Sequence, residues 1–301
     1  MKITLIGAAG VRTPLLVHGL AKAGQSVKVD ELAFWDTDAE RLSIMGRVSE
    51  AVAKQRGLRA RLKSFSEPES ALADADYVIT SIRVGGINAR VKDETIALAH
   101  GLVGQETVGA GGFACAMRNL AAMLDYAKVI QRVAPRATVI NFTNPVGIIS
   151  QGLLNHSQIN PLGVCDTPLE TFEAIAHALS LNPFDLHFDY LGLNHLGWVR
   201  SIRDSSGNEL MPKVLASPEL IQKCYRHGLF PPKARNHRST EAWLRLSRQG
   251  CPRAPESSSV ARRRPGKALP EQRWKKASRI SGRRELLASS PLILHAMREK
   301  H

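Results

Sequence analysis

The chain opens with Met1-Lys2-Ile3-Thr4-Leu5-Ile6-Gly7-Ala8-Ala9-Gly10, a stretch that predicts the fold of its N-terminal part. Residues 2–6 form a short apolar run that ends at a glycine, which is typical of a buried parallel strand. The glycines predict a tight turn, and residues 14–22 then show helical spacing with a proline near the start. The sequence therefore predicts a strand, a turn and a helix in succession.

A strand, a glycine turn and a helix in this order are typical of an anion-binding site, because backbone N–H groups and the helix dipole can face a pyrophosphate. Gly7 and Gly10 bracket two alanines, so the turn departs from the GxGxxG pattern and is a weak signal on its own. A second predicted strand, residues 31–35, ends at Asp36, where an acid can accept both ribose hydroxyls and favour NAD over NADP. The alternative for Asp36 is an N-cap of the helix predicted over residues 39–56. We predict that Gly7, Gly10 and Asp36 bind NAD.

Further apolar runs, each followed by a polar loop or helical periodicity, predict more strands at residues 61–65, 77–82, 138–142 and 162–164. Strands that alternate with helices predict an α/β fold, a Rossmann-like doubly wound parallel sheet. Residues 188–193 and 195–203 predict paired strands of an incomplete α+β substrate domain. We expect an NAD-binding domain over residues 1–165, a partial substrate and metal domain over 166–227, and a tail over 228–301.

The formal net charge of +14 belongs to the tail. Residues 228–301 hold 18 of the 41 Lys and Arg and 5 of the 27 Asp and Glu, a local balance of +13. Leu, Ile, Val and Phe occupy only 12 of these 74 positions, which predicts a largely disordered basic tail. The abrupt change suggests a reading-frame change in the encoding DNA. A non-catalytic alternative is nucleic-acid binding through this tail, which we do not favour because no helix-turn-helix pattern accompanies the charge.

The four cysteines lie far apart without a CxxC pair, which argues against a disulfide framework. We find neither the pattern of a signal peptide nor an apolar run of membrane-spanning length. We therefore expect a cytoplasmic protein without a membrane partner.

Two later segments carry the residue types of a metal site, Gly163-Val164-Cys165-Asp166-Thr167-Pro168 and Gly192-Leu193-Asn194-His195-Leu196-Gly197-Trp198. Cys165 and His195 are too far apart in sequence for a compact metal motif. By spacing alone, each is more typical of a structural residue than of a ligand. Trp198 is predicted to lie in the core.

Six blocks in order resemble glycoside hydrolase family 4, most closely its 6-phospho-β-glucosidase branch, over roughly residues 1–227. They are residues 3–10 with Thr13-Pro14, Arg83-Val84-Gly85-Gly86, Gly104-Gln105-Glu106-Thr107, Asn141-Phe142-Thr143-Asn144-Pro145, and the two segments quoted above. The resemblance implies NAD- and metal-dependent hydrolysis of (6-phospho-)β-glucosides, with Mn²⁺ as the usual metal. Such enzymes are exceptions to the two-carboxylate scheme of glycosidases.

The resemblance also implies site residues. Cys165 and His195 match the metal-ligand positions, and Asp166 matches a position that is the proton donor in some members. Glu106 matches the acid that makes the catalytic tyrosine more basic. Contacts with the phosphorylated substrate are expected from Arg90, Asn144, Arg83 and Asn194, and a contact with NAD is expected from Asn141.

Ordinary alternatives stay open for several of these residues. Glu106 is also compatible with a loop carboxylate, and Asn144 with a turn before Pro145. Arg83 and Arg90 are compatible with solvated surface charges.

The chain departs from the family after residue 228, where members carry their catalytic tyrosine. The tyrosines here are Tyr77, Tyr126, Tyr190 and Tyr225, and none lies between residues 228 and 301. Family members are also longer, and we expect full-length relatives to be homo-oligomers. We therefore predict a truncated or frameshifted member with impaired or absent activity. The competing enzyme class is a lactate- or malate-type 2-hydroxy acid dehydrogenase, which shares the nucleotide end but needs no cysteine ligand.

Overall fold

The computed structural model describes residues 1–216. Within them the strands are β1 Lys2–Ile6, β2 Glu31–Trp35, β3 Arg61–Ser64, β4 Tyr77–Thr80, β5 Thr138–Asn141, β6 Asn160–Gly163, β7 His187–Leu193 and β8 Leu196–Arg203. The helices are α1 Thr13–Ala23, α2 Ala39–Arg56, α3 Pro68–Leu72, α4 Gly86–Ala99, α5 Gly109–Val133, α6 Val146–His156, α7 Thr167–Ala178 and α8 Met211–Ala216. None of the described helices is both long and apolar enough to cross a bilayer.

Six parallel strands form one sheet in the order β3-β2-β1-β4-β5-β6. β1 pairs with β2 on one side and with β4 on the other, so the strand order reverses between β1 and β4. Ligands of such sheets bind beyond the carboxyl ends of the strands, at the point where the order reverses. This topology confirms the predicted Rossmann-like doubly wound fold.

The central strands β1, β2, β4 and β5 are buried on both faces, which explains why they are continuous apolar runs. Ile3 and Phe34 are among the buried residues of one hydrophobic cluster, and Ile6 and Val78 belong to another. All four side chains are at most 1% exposed. Burying a side chain of this size stabilises the fold by about 1.5–3 kcal/mol, so the central strands hold the loops at their ends in place.

Four strands end earlier than predicted, with β3 ending at Ser64 and β6 at Gly163, each one residue short of the prediction. β4 ends at Thr80 and β5 at Asn141, whereas the apolar runs extend to residues 82 and 142. Ile82 instead donates its backbone N–H to the Thr143 hydroxyl at 3.1 Å. The chain therefore leaves the ladder at the carboxyl edge, where its polar residues form the loops of the site.

The described residues fall into two compact units. One contains Met1–Leu169 and Tyr190–Trp198, and the other contains Glu170–Asp189 and the described residues from Val199 onward. In the second unit, Phe172 and Phe188 stack with ring centroids 4.3 Å apart. The predicted division at residues 165 and 227 stays a prediction, and the predicted basic tail lies outside the described residues.

β7 and β8 form the predicted paired strands, and they are joined by a two-residue turn at Asn194 and His195. The prediction that Trp198 lies in the core is wrong, because its surface is 48% exposed. Leu193, on the other side of the turn, is 70% exposed. Apolar residues near this turn therefore face outward, since in the described part of the chain no layer covers them.

Candidate active site

A pocket of about 220 Å³ lies at the carboxyl edge of the sheet. Six predicted site residues line it, namely Arg90, Glu106, Asn144, Cys165, Asp166 and His195. The loops after β5 and β6 contribute three of them, and the turn between β7 and β8 contributes His195. Parallel strands end at one edge of a sheet, so residues that are distant in sequence converge there.

Cys165 and His195 meet in this pocket. The Cys165 Sγ lies 3.3 Å from the His195 Nε2, and the Thr167 hydroxyl lies 3.4 Å from the same nitrogen. His195 has a φ of 59°, a left-handed conformation that costs a non-glycine residue of the order of 1–3 kcal/mol. The turn therefore holds His195 in a strained conformation that brings its ring to the cysteine.

The two groups shift each other's protonation. Burial raises the pKa of the Cys165 thiol, but hydrogen bonds from His195, Asn194 and Thr167 outweigh it and lower the pKa. The hydrogen bond to Cys165 raises the pKa of His195 more than burial lowers it. A thiolate and an imidazole are the donor types that bind zinc-like and other transition metals. The donor set fits a divalent metal.

Two protein ligands do not complete a metal site. In residues 1–216 no group of three or more His, Cys, Asp or Glu is arranged to hold a metal ion. A metal on Cys165 and His195 therefore needs other donors, such as water or substrate oxygens. Open coordination positions of this kind are typical of catalytic metal sites.

Glu106 is the centre of a second cluster. Its carboxylate accepts from the Arg83 Nε at 2.6 Å and from the Asn144 Nδ2 at 3.3 Å, and the Arg90 Nη1 lies 3.6 Å away. Burial raises the pKa of Glu106, but the hydrogen bond and charge of Arg83, with Arg90 and Asn144, outweigh it and lower the pKa. Glu106 is therefore a buried anion at neutral pH that two arginines stabilise. An exposed loop carboxylate would be ionised without such partners.

Arg83 and Asn194 do not line the pocket, although both were predicted to contact substrate. Arg83 donates to Glu106, and Asn194 hydrogen-bonds the Cys165 thiol. Both side chains therefore position a pocket residue. The sequence blocks placed them near the site but could not show which way their side chains point.

The glycine turn at the end of β1 fits a bound dinucleotide. Gly7 has a φ of 91°, and a Cβ there would lie 2.3 Å from the Ser81 carbonyl oxygen, so only glycine is accommodated. A Cβ at Gly10 would lie 3.3 Å from the Gly7 oxygen, a milder contact. The small residues let a pyrophosphate approach the backbone closely, while the N–H groups of residues 7–10 donate to protein oxygens.

Asp36 lies beside this turn, with its Oδ2 accepting from the Ala9 N–H at 2.9 Å. The alternative that Asp36 caps α2 is wrong, because Asp38 is the N-cap and accepts from the Arg41 N–H. Asp36 therefore stabilises the glycine turn and keeps lone pairs for a ligand.

The side chain of Asn141 is hydrogen-bonded inside the protein. The residue is fully buried, and its side chain bonds to Thr80, Thr143 and Ser150. Asn141 thus connects β4, β5 and the following loop, and its expected contact with NAD stays a prediction. The sequence cannot distinguish an asparagine that binds a ligand from one that hydrogen-bonds within the protein, because both roles use the same side-chain amide.

Several pocket residues were not predicted as site residues, and Arg12 and Thr107 are two of them. Arg12 lines the pocket, and its Nη2 lies 3.3 Å from the Asp166 Oδ2. Thr107 also lines it, and in the described part of the chain its buried hydroxyl has no hydrogen-bond partner. An unsatisfied buried hydroxyl costs about 1–3 kcal/mol, which points to a polar ligand. The position of Arg12 directly after the glycine turn was the available signal.

No described tyrosine lines the pocket. Burial raises the pKa of Tyr126 to about 12, with a smaller contribution from the charge of Asp36. Burial also raises the pKa of Tyr77, and Tyr225 lies outside the described residues. The described part of the pocket thus lacks the phenol expected as a base.

Comparison with known proteins agrees with this geometry. The chain is 32% identical over 245 residues to a maltose-6'-phosphate glucosidase from Fusobacterium mortiferum, covering 80% of this chain and 54% of the relative. It is 34% identical over 221 residues to a 6-phospho-beta-glucosidase from Thermotoga maritima, covering 73% and 52%. The chain thus spans about half the length of these relatives.

Solved structures show the same fold. A Thermotoga maritima 6-phospho-beta glucosidase with manganese, NAD⁺ and glucose-6-phosphate matches with a TM-score of 0.67 and 30% identity, covering 81% of this chain and 64% of that one. A lactate dehydrogenase from Eimeria maxima, at 16% identity and a TM-score of 0.52, shares the fold alone and covers 75% and 64%.

The family assignment rests on the region that builds the pocket. Residues 2–181, more than half of the chain, match the sequence model described as "Family 4 glycosyl hydrolase". This region supplies the glycine turn, the Glu106 cluster and Cys165. The chain belongs to glycosyl hydrolase family 4.

Proposed function

We propose that this chain carries the NAD and metal sites of a 6-phosphoglucosidase. The observation that carries the proposal is the pairing of Cys165 and His195 at 3.3 Å inside the pocket. The solved relative with manganese, NAD⁺ and glucose-6-phosphate supports the same set of ligands. We assign the metal to Cys165 and His195, and the dinucleotide to the turn at Gly7 and to Asp36.

When bound, the nicotinamide supplies a reversible hydride acceptor and the metal a Lewis acid. Glu106 stays ionised and holds Arg90 and Asn144 in fixed positions, so their polar atoms are preorganised for a sugar hydroxyl or phosphate. Asp166 lies next to the metal-binding cysteine and is 46% exposed at its side chain. It is the carboxyl group placed to protonate a leaving oxygen.

The sequence blocks favour the β-anomer as substrate. Relatives named for maltose 6'-phosphate and for 6-phospho-beta-glucosides match at similar identity. An assay therefore needs both anomers of the p-nitrophenyl 6-phosphoglucoside. Glucose 6-phosphate, which carries no p-nitrophenyl group, serves to measure binding alone.

We also propose that the 301-residue chain turns over slowly or not at all. Tyr77, Tyr126 and Tyr190 do not line the pocket, and residues 228–301 contain no tyrosine. Loss of a general base slows the step that it assists by about 10²–10⁴-fold. Binding of NAD⁺ and metal does not require that base and is expected to persist.

The test combines binding with turnover. The purified chain is titrated with NAD⁺ and with Mn²⁺, and then incubated with both, a reductant and each p-nitrophenyl anomer. We expect saturable binding of both and little release of p-nitrophenol. A folded chain that binds neither NAD⁺ nor Mn²⁺ overturns the proposed function. Rapid release of p-nitrophenol overturns only the loss of activity, and steady accumulation of NADH with a 2-hydroxy acid supports a dehydrogenase instead.

A further inference from the structure

The cations around the pocket differ in how they are engaged. The Arg90 Nε donates to Glu94 at 2.8 Å, and its Nη1 faces Glu106. The Arg83 Nε donates to Glu106 at 2.6 Å and does not line the pocket. Both guanidinium groups therefore already neutralise carboxylates of the protein.

Arg12 is engaged more weakly. Within residues 1–216, its one ion pair joins its Nη2 to the Asp166 Oδ2 at 3.3 Å. The Arg12 side chain is 66% exposed and that of Asp166 is 46% exposed, so solvent screens the pair. An exposed pair of this kind contributes little and can exchange partners at small cost.

The backbone next to Arg12 is anchored by Thr13. The Thr13 N–H donates to the Gly10 carbonyl at 3.1 Å, and the Thr13 hydroxyl donates to the Ala8 carbonyl at 2.8 Å. Arg12 therefore starts from a fixed point on the loop after β1, and its side chain reaches the loop after β6. Its guanidinium contacts Asp166, the residue after Cys165, and Arg12 lines the same pocket.

We propose that Arg12 binds a phosphate group of a ligand in this pocket and releases Asp166 when it does so. A guanidinium presents paired N–H donors that match phosphate oxygens, and a sugar monophosphate or a whole pyrophosphate carries more total charge than one exposed carboxylate. Phosphate recognition then frees the carboxyl group that the proposed function assigns to the leaving oxygen. The inference rests on that proposed function.

The phosphate has two possible sources, the sugar 6-phosphate and the pyrophosphate of NAD⁺. Calorimetric titrations of the full 301-residue chain with glucose 6-phosphate, glucose and NAD⁺ distinguish them. The variant is Arg12→Gln. The matched control is Arg132→Gln, because Arg132 is 62% exposed and pairs with Glu69 on the surface away from the pocket.

We expect Arg12→Gln to weaken one phosphate-bearing ligand by about 10- to 100-fold, the usual worth of a charge-assisted hydrogen bond. Weaker glucose 6-phosphate binding with unchanged NAD⁺ binding identifies the sugar phosphate, and the reverse identifies the pyrophosphate. The unaffected ligand also reports that the variant is folded. Arg132→Gln is expected to leave all affinities unchanged.

The affinity of the Asp166→Asn variant for the same ligands is an independent test of the inference. Removing the partner of Arg12 is expected to tighten the same phosphate ligand by about 2- to 5-fold, since the exposed pair no longer competes. In the Arg12→Gln background this gain is expected to shrink. A merely structural role for Arg12 predicts no such opposite effects of the two substitutions.

Two results overturn the inference alone, given a wild-type chain that binds its ligands. One is unchanged affinity of Arg12→Gln for both glucose 6-phosphate and NAD⁺. The other is equal weakening of glucose 6-phosphate and glucose, because Arg12 then does not read the phosphate. A wild-type chain that binds neither NAD⁺ nor glucose 6-phosphate overturns the proposed function together with the inference.

Discussion

The Sγ of Cys165 lies 3.3 Å from the Nε2 of His195, although 30 positions separate the two residues. Cys165 follows β6 at the carboxyl edge of the sheet, and His195 lies in the turn between β7 and β8. The contact shifts both pKa values toward a thiolate and an imidazolium. A metal binding here would displace the imidazolium proton, so its affinity should rise with pH.

The first prediction concerns this pair. Cys165→Ser and His195→Ala are each expected to weaken Mn²⁺ binding by at least about 10-fold, because each removes one of two protein ligands. The loss of the free-Mn²⁺ electron paramagnetic resonance signal on binding measures the affinity. Cys115→Ser is the control, since Cys115 is buried but does not line the pocket. Unchanged Mn²⁺ affinity in both pocket variants would contradict the assignment.

The second prediction concerns the glycine turn. Gly7→Ala is expected to destabilise the fold by about 2–5 kcal/mol, since it adds a clash with the Ser81 carbonyl to an unfavourable φ. Gly19→Ala in α1 is the control, because a Cβ there meets nothing within 4 Å. It should stabilise by about 0.5–1 kcal/mol through helix propensity. Urea unfolding measures both, and a Gly7→Ala protein as stable as wild type would count against the close approach.

The third prediction concerns cofactor choice. Asp36→Asn is expected to weaken NAD⁺ by about 10-fold, because a charge-assisted hydrogen bond to a ribose hydroxyl is lost. NADP⁺ should be affected less, since its phosphate no longer faces a carboxylate. Asp38→Asn is the control, because Asp38 caps α2 and does not touch the glycine turn. Equal loss of NAD⁺ and NADP⁺ in the Asp36 variant would show that Asp36 does not select the cofactor.

The fourth prediction concerns pH and Glu106. Its pKa is lower in the folded protein than in the unfolded chain, because Arg83 and Arg90 outweigh the effect of burial. Its contribution to stability is therefore fully present above the unfolded value and is lost as the pH falls through the lower, folded value. Glu106→Gln removes this dependence.

We expect Glu106→Gln to destabilise at neutral pH by about 1–3 kcal/mol, a reduced figure because both arginines are partly exposed. The difference from wild type should shrink as the solution is acidified below the ordinary glutamate pKa. Urea midpoints across the acid range measure it. Glu69→Gln is the control, since its ion pair with Arg132 is exposed and worth about 0–1 kcal/mol. A pH-independent difference would contradict the stabilised carboxylate.

Local pattern predicted most of the sheet. The apolar runs identified β1, β2, β4 and β5, because strands buried on both faces need no polar alternation. The ends of β1 and β2 were predicted correctly. Those of β4 and β5 were predicted two residues and one residue too far, since Ile82 and Phe142 are apolar but lie beyond the last ladder residue. Hydrophobicity reports burial, and burial continues past the point at which a strand stops pairing.

The amino-acid sequence by itself determined the alternation of strands and helices and the loops that carry polar residues. It also determined the glycine turn after β1, where Gly7 allows a close backbone approach. Tertiary structure alone decided which side chains meet. It joins Cys165 to His195 and Arg12 to Asp166, and it turns Asn141 into the protein interior. The physical reason is that strand formation follows from local periodicity, whereas a contact between loops depends on sheet order and on backbone angles such as the positive φ of His195.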